Sequence, residues 1–515
     1  MKTLLATILV TVTVSSATAE RYDATWESLD RRPTPTWWED AKFGIFIHWG
    51  PYAVPAYAPA ARGAKFDWDG YAEWYQGKML AGREKFLKHH QEFYGRAPYA
   101  NFAAEFKARF FNAADWAELF KRAGAKYVVL TSKHHDGYAL WPSPESPYYN
   151  SVAVGSGRDL AREFCDAMKA AGLKRGFYYS MLEYANPKYP HGRDGKKSPH
   201  EISIGEWNRL VNIPQLKELA EEYEPDILWP DGEWDYTSAE HGSCFFLAWL
   251  FNESKVRYSV VVNDRWGSDC RGRHGGHFTT EYGHAEGAAT ADVIPHPWEE
   301  CRGIGGSFGY NRFETPDHYM SRRQCLETLV GTVSRGGNLL LNVGPDSDGQ
   351  IPPIMQDRLL ALGRWLAVNG EAIYASRRAV GVQVEGKDVH LTVRGGKIYV
   401  IDFRLDGKPL ALKGVTNVKG VRILGSPASV KFQSVGDGLV IVPPELPPAE
   451  APCEEAWVYE VTGTRVIASA APAAAVPSAA APAADAAPAA EPAAAAAAEG
   501  EERNISIYDF MKDAR

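Results

Sequence analysis

The chain has 515 residues, 45% of them hydrophobic, and a formal net charge of −8. That length allows two or three domains with real cores, and the acidic balance argues against a general nucleic-acid binder. Six cysteines, Cys165, Cys244, Cys270, Cys301, Cys325 and Cys453, form no C-x-x-C pair, which argues against a zinc ribbon or a thioredoxin-type site.

The first residues, "MKTLLATILVTVTVSSATAE", combine a positive Lys2, an apolar run and a small-residue Ala17-Thr18-Ala19 site. This predicts a secretory signal peptide over residues 1–19, hence an exported protein, periplasmic or secreted. The run is short for a membrane span, and no later segment is long and apolar enough to be one. Over residues 20–374, apolar runs alternate with helix-like segments: "FGIFIHWG", "KYVVLTSKHHDG", "KRGFYYS", "PDILWPDG", "RYSVVVNDR", "HFTTEYG" and "GNLLLNVGP". Such alternation predicts a parallel sheet, and its repetition an α/β fold, a (β/α)-barrel catalytic domain. A doubly wound open sheet is the alternative, but no Gly-rich dinucleotide fingerprint follows the first run.

After Tyr374 the period changes. "KDVHLTVRGGKIYVIDF" alternates apolar and polar residues around Gly395-Gly396 and reads as a hairpin. Residues 375–464 are predicted to form a small antiparallel β-sandwich. Residues 465–515 are Ala/Pro-rich and end in "NISIYDFMKDAR", which predicts an extended linker with a short disordered tail.

The polar residues gather where the apolar runs stop: His48, His134 and His135, Tyr178, Asp231, Arg265 and Glu281. In a (β/α)-barrel those ends share one face, where active sites are built. Each residue alone has a plainer reading. An Asp after a strand is often a helix N-cap, a histidine pair is often hydrogen-bonded filler, and Glu281 could be a surface carboxylate. Together, six strand ends favour a site. Two carboxylates with histidines, an arginine and Trp49, Trp74 and Trp229 as apolar walls suggest glycoside hydrolysis. A metal-dependent hydrolase is the rival. No H-x-H or H-E-x-x-H spacing appears, and adjacent residues of a regular strand face opposite ways, so no metal and no cofactor is expected.

The stretches "AKFGIFIHWGPYAVP", "AEWY", "AKYVVLTSKHHDGYALWPS", "FYYSMLEY", "ILWPDGEW", "VVVNDRWG", "HGGHFTTE", "WEEC" and "GGNLLLNVGPDSDGQIP" resemble glycoside hydrolase family 29, the α-L-fucosidases, from about Trp37 to Tyr374. The resemblance implies a barrel followed by a sandwich. It also implies a retaining mechanism that removes terminal α-L-fucosyl residues from oligosaccharides or glycoproteins through a covalent fucosyl-enzyme. It assigns Asp231 as nucleophile and, through the "HGG" motif, Glu281 as acid/base. His48, Trp74, His134, His135, Tyr178, Trp229 and Arg265 would contact the sugar, with Glu73 and Glu299 as weaker candidates. Pro230, before the nucleophile, departs from the small or polar residues common there. Phe46, Trp229 and Phe308 are possible liners for the fucose methyl. The alternative within the same fold is a fucose-binding protein that has lost catalysis.

Overall fold

The computed structural model describes residues 20–60, 68–190, 200–283, 296–463 and 467–468. The expected signal peptide and nearly all of the Ala/Pro-rich tail lie outside these. Among the described residues, no helix is long and apolar enough to cross a membrane.

Eight parallel strands form one curled sheet: β1 (Phe43–Ile47), β2 (Tyr127–Lys133), β3 (Lys174–Ser180), β4 (Ile227–Asp231), β5 (Val261–Val262), β6 (Phe278–Glu281), β7 (Trp298–Gly303) and β8 (Asn338–Val343). Their order is β5-β4-β3-β2-β1-β8-β7-β6. The two edges meet in a parallel bridge between Asn263 and His277, so the sheet closes on itself. The period of two along each strand sorts side chains between two cores. Phe46, Val129, Tyr178, Trp229, Cys301 and Leu340 fill the barrel interior. Ile45, Ile47, Val128, Leu130, Phe177, Leu228 and Leu341 face outward into a larger core. The helices that supply the other half of that core start on side-chain caps. Asn112 accepts from Ala114 N and Asp115 N before the helix Ala113–Arg122. Asp159 caps Leu160–Ala171, and Ser321 with Gln324 forms a capping box on Arg322–Ser334.

β7 was not anticipated from the sequence. Its residues, "WEECRG", break the apolar pattern because Glu299 turns into the barrel and is satisfied there by hydrogen bonds from Tyr127 and Trp229. The periodicity signal fails where a buried polar residue has partners that the sequence does not reveal.

Beyond the barrel, Val389–Arg394 and Lys397–Asp402 pair antiparallel across Gly395-Gly396. Both glycines have positive φ, 55° and 77°, as the tightest hairpin turn requires. Two antiparallel sheets of four and six strands share a core of Val400, Leu412, Leu439, Ile441 and Tyr459. Trp365 Nε1, on the helix Pro353–Asn369, donates to Ala456 O at 2.9 Å and ties this domain to the barrel. Ile467–Ala468 pairs with Arg377–Val380, so the sheet gains an edge strand just inside the stretch expected to be linker. Val466 and Ile467 interrupt the Ala/Pro composition there.

The β5–β6 seam is the thinnest part of the ring. His277 N donates to Val262 O at 3.1 Å, and a Cβ added at neighbouring Gly276 would lie 1.7 Å from that same oxygen. Gly276→Ala is therefore predicted to open the seam and cost about 3 kcal/mol. The helical Gly205 meets only Glu240 O, at 4.0 Å, so Gly205→Ala should be neutral or slightly stabilising. Thermal unfolding of the two variants checks this; equal midpoints would contradict it.

Candidate active site

Residues at the carboxyl ends of the strands converge on the floor formed by the barrel core. Phe46 packs against His48 (4.6 Å between ring centroids) and Trp229 (5.0 Å), and Phe308 against His48 (4.8 Å). Tyr178 lies between two near-parallel rings, His134 at 5.3 Å and Trp229 at 5.8 Å. Pairing of β2 with β3 shifts register between Thr131 and Lys133. His134 and His135 follow this irregularity, beyond the last residue of β2, and their rings lie 4.2 Å apart, although neighbours on a regular strand would diverge.

Hydrogen bonds set the histidine tautomers. Asn342 donates through Nδ2 to Phe308 O, so its Oδ1 accepts from His48 Nδ1 at 2.7 Å. Ser180 Oγ donates to Leu182 O and so accepts from His135 Nδ1 at 2.6 Å. Both rings are left with Nε2 as an acceptor. His135 Nε2 and His134 Nδ1 have no hydrogen-bond partner among the described residues. Burial lowers the three imidazoles, His48 to about 3, His135 to about 4 and His134 well below its ordinary value. They are neutral at physiological pH and suited to polar, uncharged hydroxyl groups.

Asp231, the last residue of β4, accepts from Arg265 Nη1 at 2.5 Å and from Tyr178 OH at 2.8 Å. His135 Nε2 lies 3.8 Å away. Burial would push this carboxyl up; the Arg265 cation, with the hydrogen bonds from Arg265 and Tyr178, outweighs it and holds it below its ordinary value, hence ionised. The other arm of Arg265, Nη2, reaches Glu281 Oε2 at 3.3 Å. Tyr71 donates to Glu281 Oε1 at 2.8 Å. Arg265 is itself held by Thr279 and Trp229. Its Nε donates to Thr279 Oγ1 (3.1 Å), Thr279 donates to Asp264 Oδ1 (2.9 Å), and the guanidinium lies 4.5 Å over the Trp229 ring.

Two further carboxyls border the site. Burial raises Glu73 to about 7, against hydrogen bonds from Gly309 N (2.7 Å) and Ser307 Oγ (3.2 Å). Burial raises Glu233 to about 7 too, opposed by Arg271 and reinforced by Asp231. Glu233 Oε1 accepts from Arg271 Nη1 at 3.3 Å. Trp74 sets its ring against His135 (5.0 Å) and stacks with Trp234 (6.0 Å, 17°).

The structure thus brings together His48, Trp74, His134, His135, Tyr178, Trp229, Asp231, Arg265 and Glu281. Glu299 is placed elsewhere. It is the second residue of β7, toward the amino ends of the strands, 1% exposed, and it accepts from Tyr127 OH (2.5 Å) and Trp229 Nε1 (3.0 Å). Its place is in the barrel packing, not at the mouth. Trp49 packs outward among Phe106, Phe111 and Trp116, because its odd offset from His48 turns it to the other core. Sequence reasoning missed Asn342, although an amide at the end of the apolar run "NLLLNVG" was a visible signal. It also missed Tyr71 and Thr279, whose neighbours in space are remote in sequence.

The family description "Alpha-L-fucosidase" matches residues 9–371. The chain belongs to the α-L-fucosidase family. It is therefore a glycoside hydrolase. The tissue alpha-L-fucosidase of Bos taurus is 41% identical over 458 residues, covering 86% of this chain and 92% of its own length. That of Homo sapiens is 40% identical over 453 residues with the same coverage. The solved structure of the Thermotoga maritima alpha-fucosidase in complex with fucose superposes with a TM-score of 0.73 at 36% identity, over 86% of this chain and 100% of that one.

The neutral histidines carry a stability consequence. In the unfolded chain they titrate near 6.5, whereas His48 and His135 in the fold resist charging down to about 3 and about 4. The unfolded state binds more protons across that window, so their contribution is complete above 6.5 and is lost as pH falls toward 4. Thermal midpoints should fall over this interval, and His48→Gln should flatten the slope. A slope unchanged in His48→Gln would contradict the assignment.

Proposed function

We propose that the chain is a retaining exo-α-L-fucosidase that removes terminal α-L-fucosyl residues from oligosaccharides or glycoproteins, with Asp231 as nucleophile and Glu281 as acid/base. The observation that carries this reading is the fork of Arg265, which touches both carboxylates at once. Two carboxylates reached by adjacent nitrogens of one guanidinium are held close together. This fits the spacing of about 5 Å in retaining pairs better than the wider spacing of inverting pairs, which must admit a water.

In the first step Asp231 attacks the anomeric carbon while Glu281 gives its proton to the departing glycosidic oxygen. In the second, water attacks the same carbon, Glu281 takes a proton from it, and the Asp231 carboxylate is released. The neutral His48, His134 and His135, with Tyr178, offer donors and acceptors to the sugar hydroxyls. Phe46, Trp229 and Phe308 offer an apolar floor for a group such as the fucose methyl. The Thermotoga maritima structure in complex with fucose supports this choice of sugar. The leader-like residues 1–19 support action outside the cytoplasm.

Chemical rescue by azide tests the two roles. Asp231→Gly should lower turnover of an aryl α-L-fucoside by orders of magnitude, and azide should then yield a fucosyl azide of inverted configuration. Glu281→Ala should slow substrates with poor leaving groups far more than those with good ones, and azide should now give the retained configuration. Equal slowing of good and poor leaving groups by Glu281→Ala would remove Glu281 from the acid/base role.

A further inference from the structure

We infer that Tyr71 is a positioning residue for the acid/base, that it assigns the exchanging proton to Glu281 Oε1, and that it serves the second step of the reaction more than the first. The inference rests on the reading of Glu281 given above.

Each oxygen of Glu281 has one strong neighbour: Arg265 Nη2 on Oε2 and the Tyr71 hydroxyl on Oε1. These neighbours differ chemically. A guanidinium can only donate, whereas a phenol can donate or accept. A proton on Oε2 would face a cation with no acceptor. A proton on Oε1 can be received by the Tyr71 oxygen or, once substrate arrives, by the glycosidic oxygen. Tyr71 therefore tolerates both states of the carboxyl: it accepts from the acid and donates to the carboxylate.

The Tyr71 ring is built into place. It is 2% exposed and packs edge-on to Phe308 (5.5 Å, 72°) and beside Tyr282 (6.2 Å, 30°). It begins the turn Ala72–Trp74, whose Glu73 is anchored by Gly309 and Ser307. The charged and titratable groups that act on Glu281 come from several elements. Arg265 follows β5, Tyr71 and Glu73 lie on the connection after β1, and Cys301 is in β7. Asp231 stands across Arg265. Of these, only Arg265 and Tyr71 have a hydrogen bond to Glu281 among the described contacts.

The balance of the two steps shows where Tyr71 acts. First, the proton leaves Oε1 for the glycosidic oxygen, the glycosidic C–O bond breaks and the Asp231 ester forms. Glu281 is then a carboxylate with a donor on each oxygen. Second, water adds to the anomeric carbon, its proton goes to Oε1, and the ester bond to Asp231 breaks. During this second step the Tyr71 donor orients Oε1 as the base.

Tyr71→Phe keeps the ring and removes the hydroxyl. Without a donor the ionised form is less favoured, so the alkaline limb of kcat/KM, which requires the acid form, should move up by about one pH unit. With an aryl α-L-fucoside bearing a good leaving group, the second step limits turnover. There kcat should fall about tenfold and KM should fall with it as the ester accumulates, leaving kcat/KM within about threefold of the parent. Competitive inhibition by free fucose should be unchanged. Equal losses in kcat and kcat/KM with unshifted limbs, weakened fucose inhibition, or a profile identical to the parent would each overturn the inference. Glu281→Ala in the same assays separates the two readings. If it spares poor leaving groups, the acid/base assignment fails. If it behaves as an acid/base variant while Tyr71→Phe shows no kcat–KM split, only the Tyr71 inference fails.

Discussion

One buried cation, Arg265, governs the site. Its side chain is 4% exposed and lies between a carboxylate that is 10% exposed and one that is 21% exposed. Removing one partner of a buried ion pair costs about 3–5 kcal/mol because the other charge is stranded. The charge around Arg265 should therefore stay constant through any reaction performed beside it. A double-displacement reaction meets this condition. On the proposed mechanism Asp231 would be the anion while Glu281 serves as the acid, and Glu281 would be the anion while Asp231 is held in the ester. One negative charge would then move from one arm of the guanidinium to the other, and the cation would be matched at both stages.

The barrel keeps that cation still. Arg265 lies three residues beyond β5, a strand of two residues, yet three further contacts hold it. Asn263 Oδ1 accepts from Arg265 N, and Asn263 Nδ2 donates to Pro230 O next to the nucleophile. Thr279 links its Nε to Asp264, and the Trp229 face lies beneath it. Trp229 is in turn fixed by Glu299 from below. The residue expected to touch sugar thus acts through the floor on which Arg265 rests. Such layering places a rigid polar site on packed strands instead of on mobile loops.

The sequence made the barrel legible wherever strands were apolar on both faces, as in "KYVVLTSK" and "GNLLLNV", because burial on both sides leaves a continuous run. It concealed β7, where Glu299 is paid for by Tyr127 and Trp229 from other strands. The residues that end each strand were legible as a set because a barrel gathers them on one face. What could not be read was which residue touches which. Nothing in "WDGYAEWY" indicates that Tyr71 reaches a carboxylate 210 positions away. Nor could the register shift at the end of β2 be read, just before the chain leaves the strand and sets adjacent histidines on one site.

The anomer first released tests the charge-exchange account most directly. Proton NMR during rapid hydrolysis of an aryl α-L-fucoside, before mutarotation, distinguishes the two stereochemical outcomes. The account predicts that α-L-fucose appears first and the β anomer grows in only as the sugar equilibrates. Release of the β anomer first would mean a single displacement by water, and the exchange of charge across Arg265 would not occur.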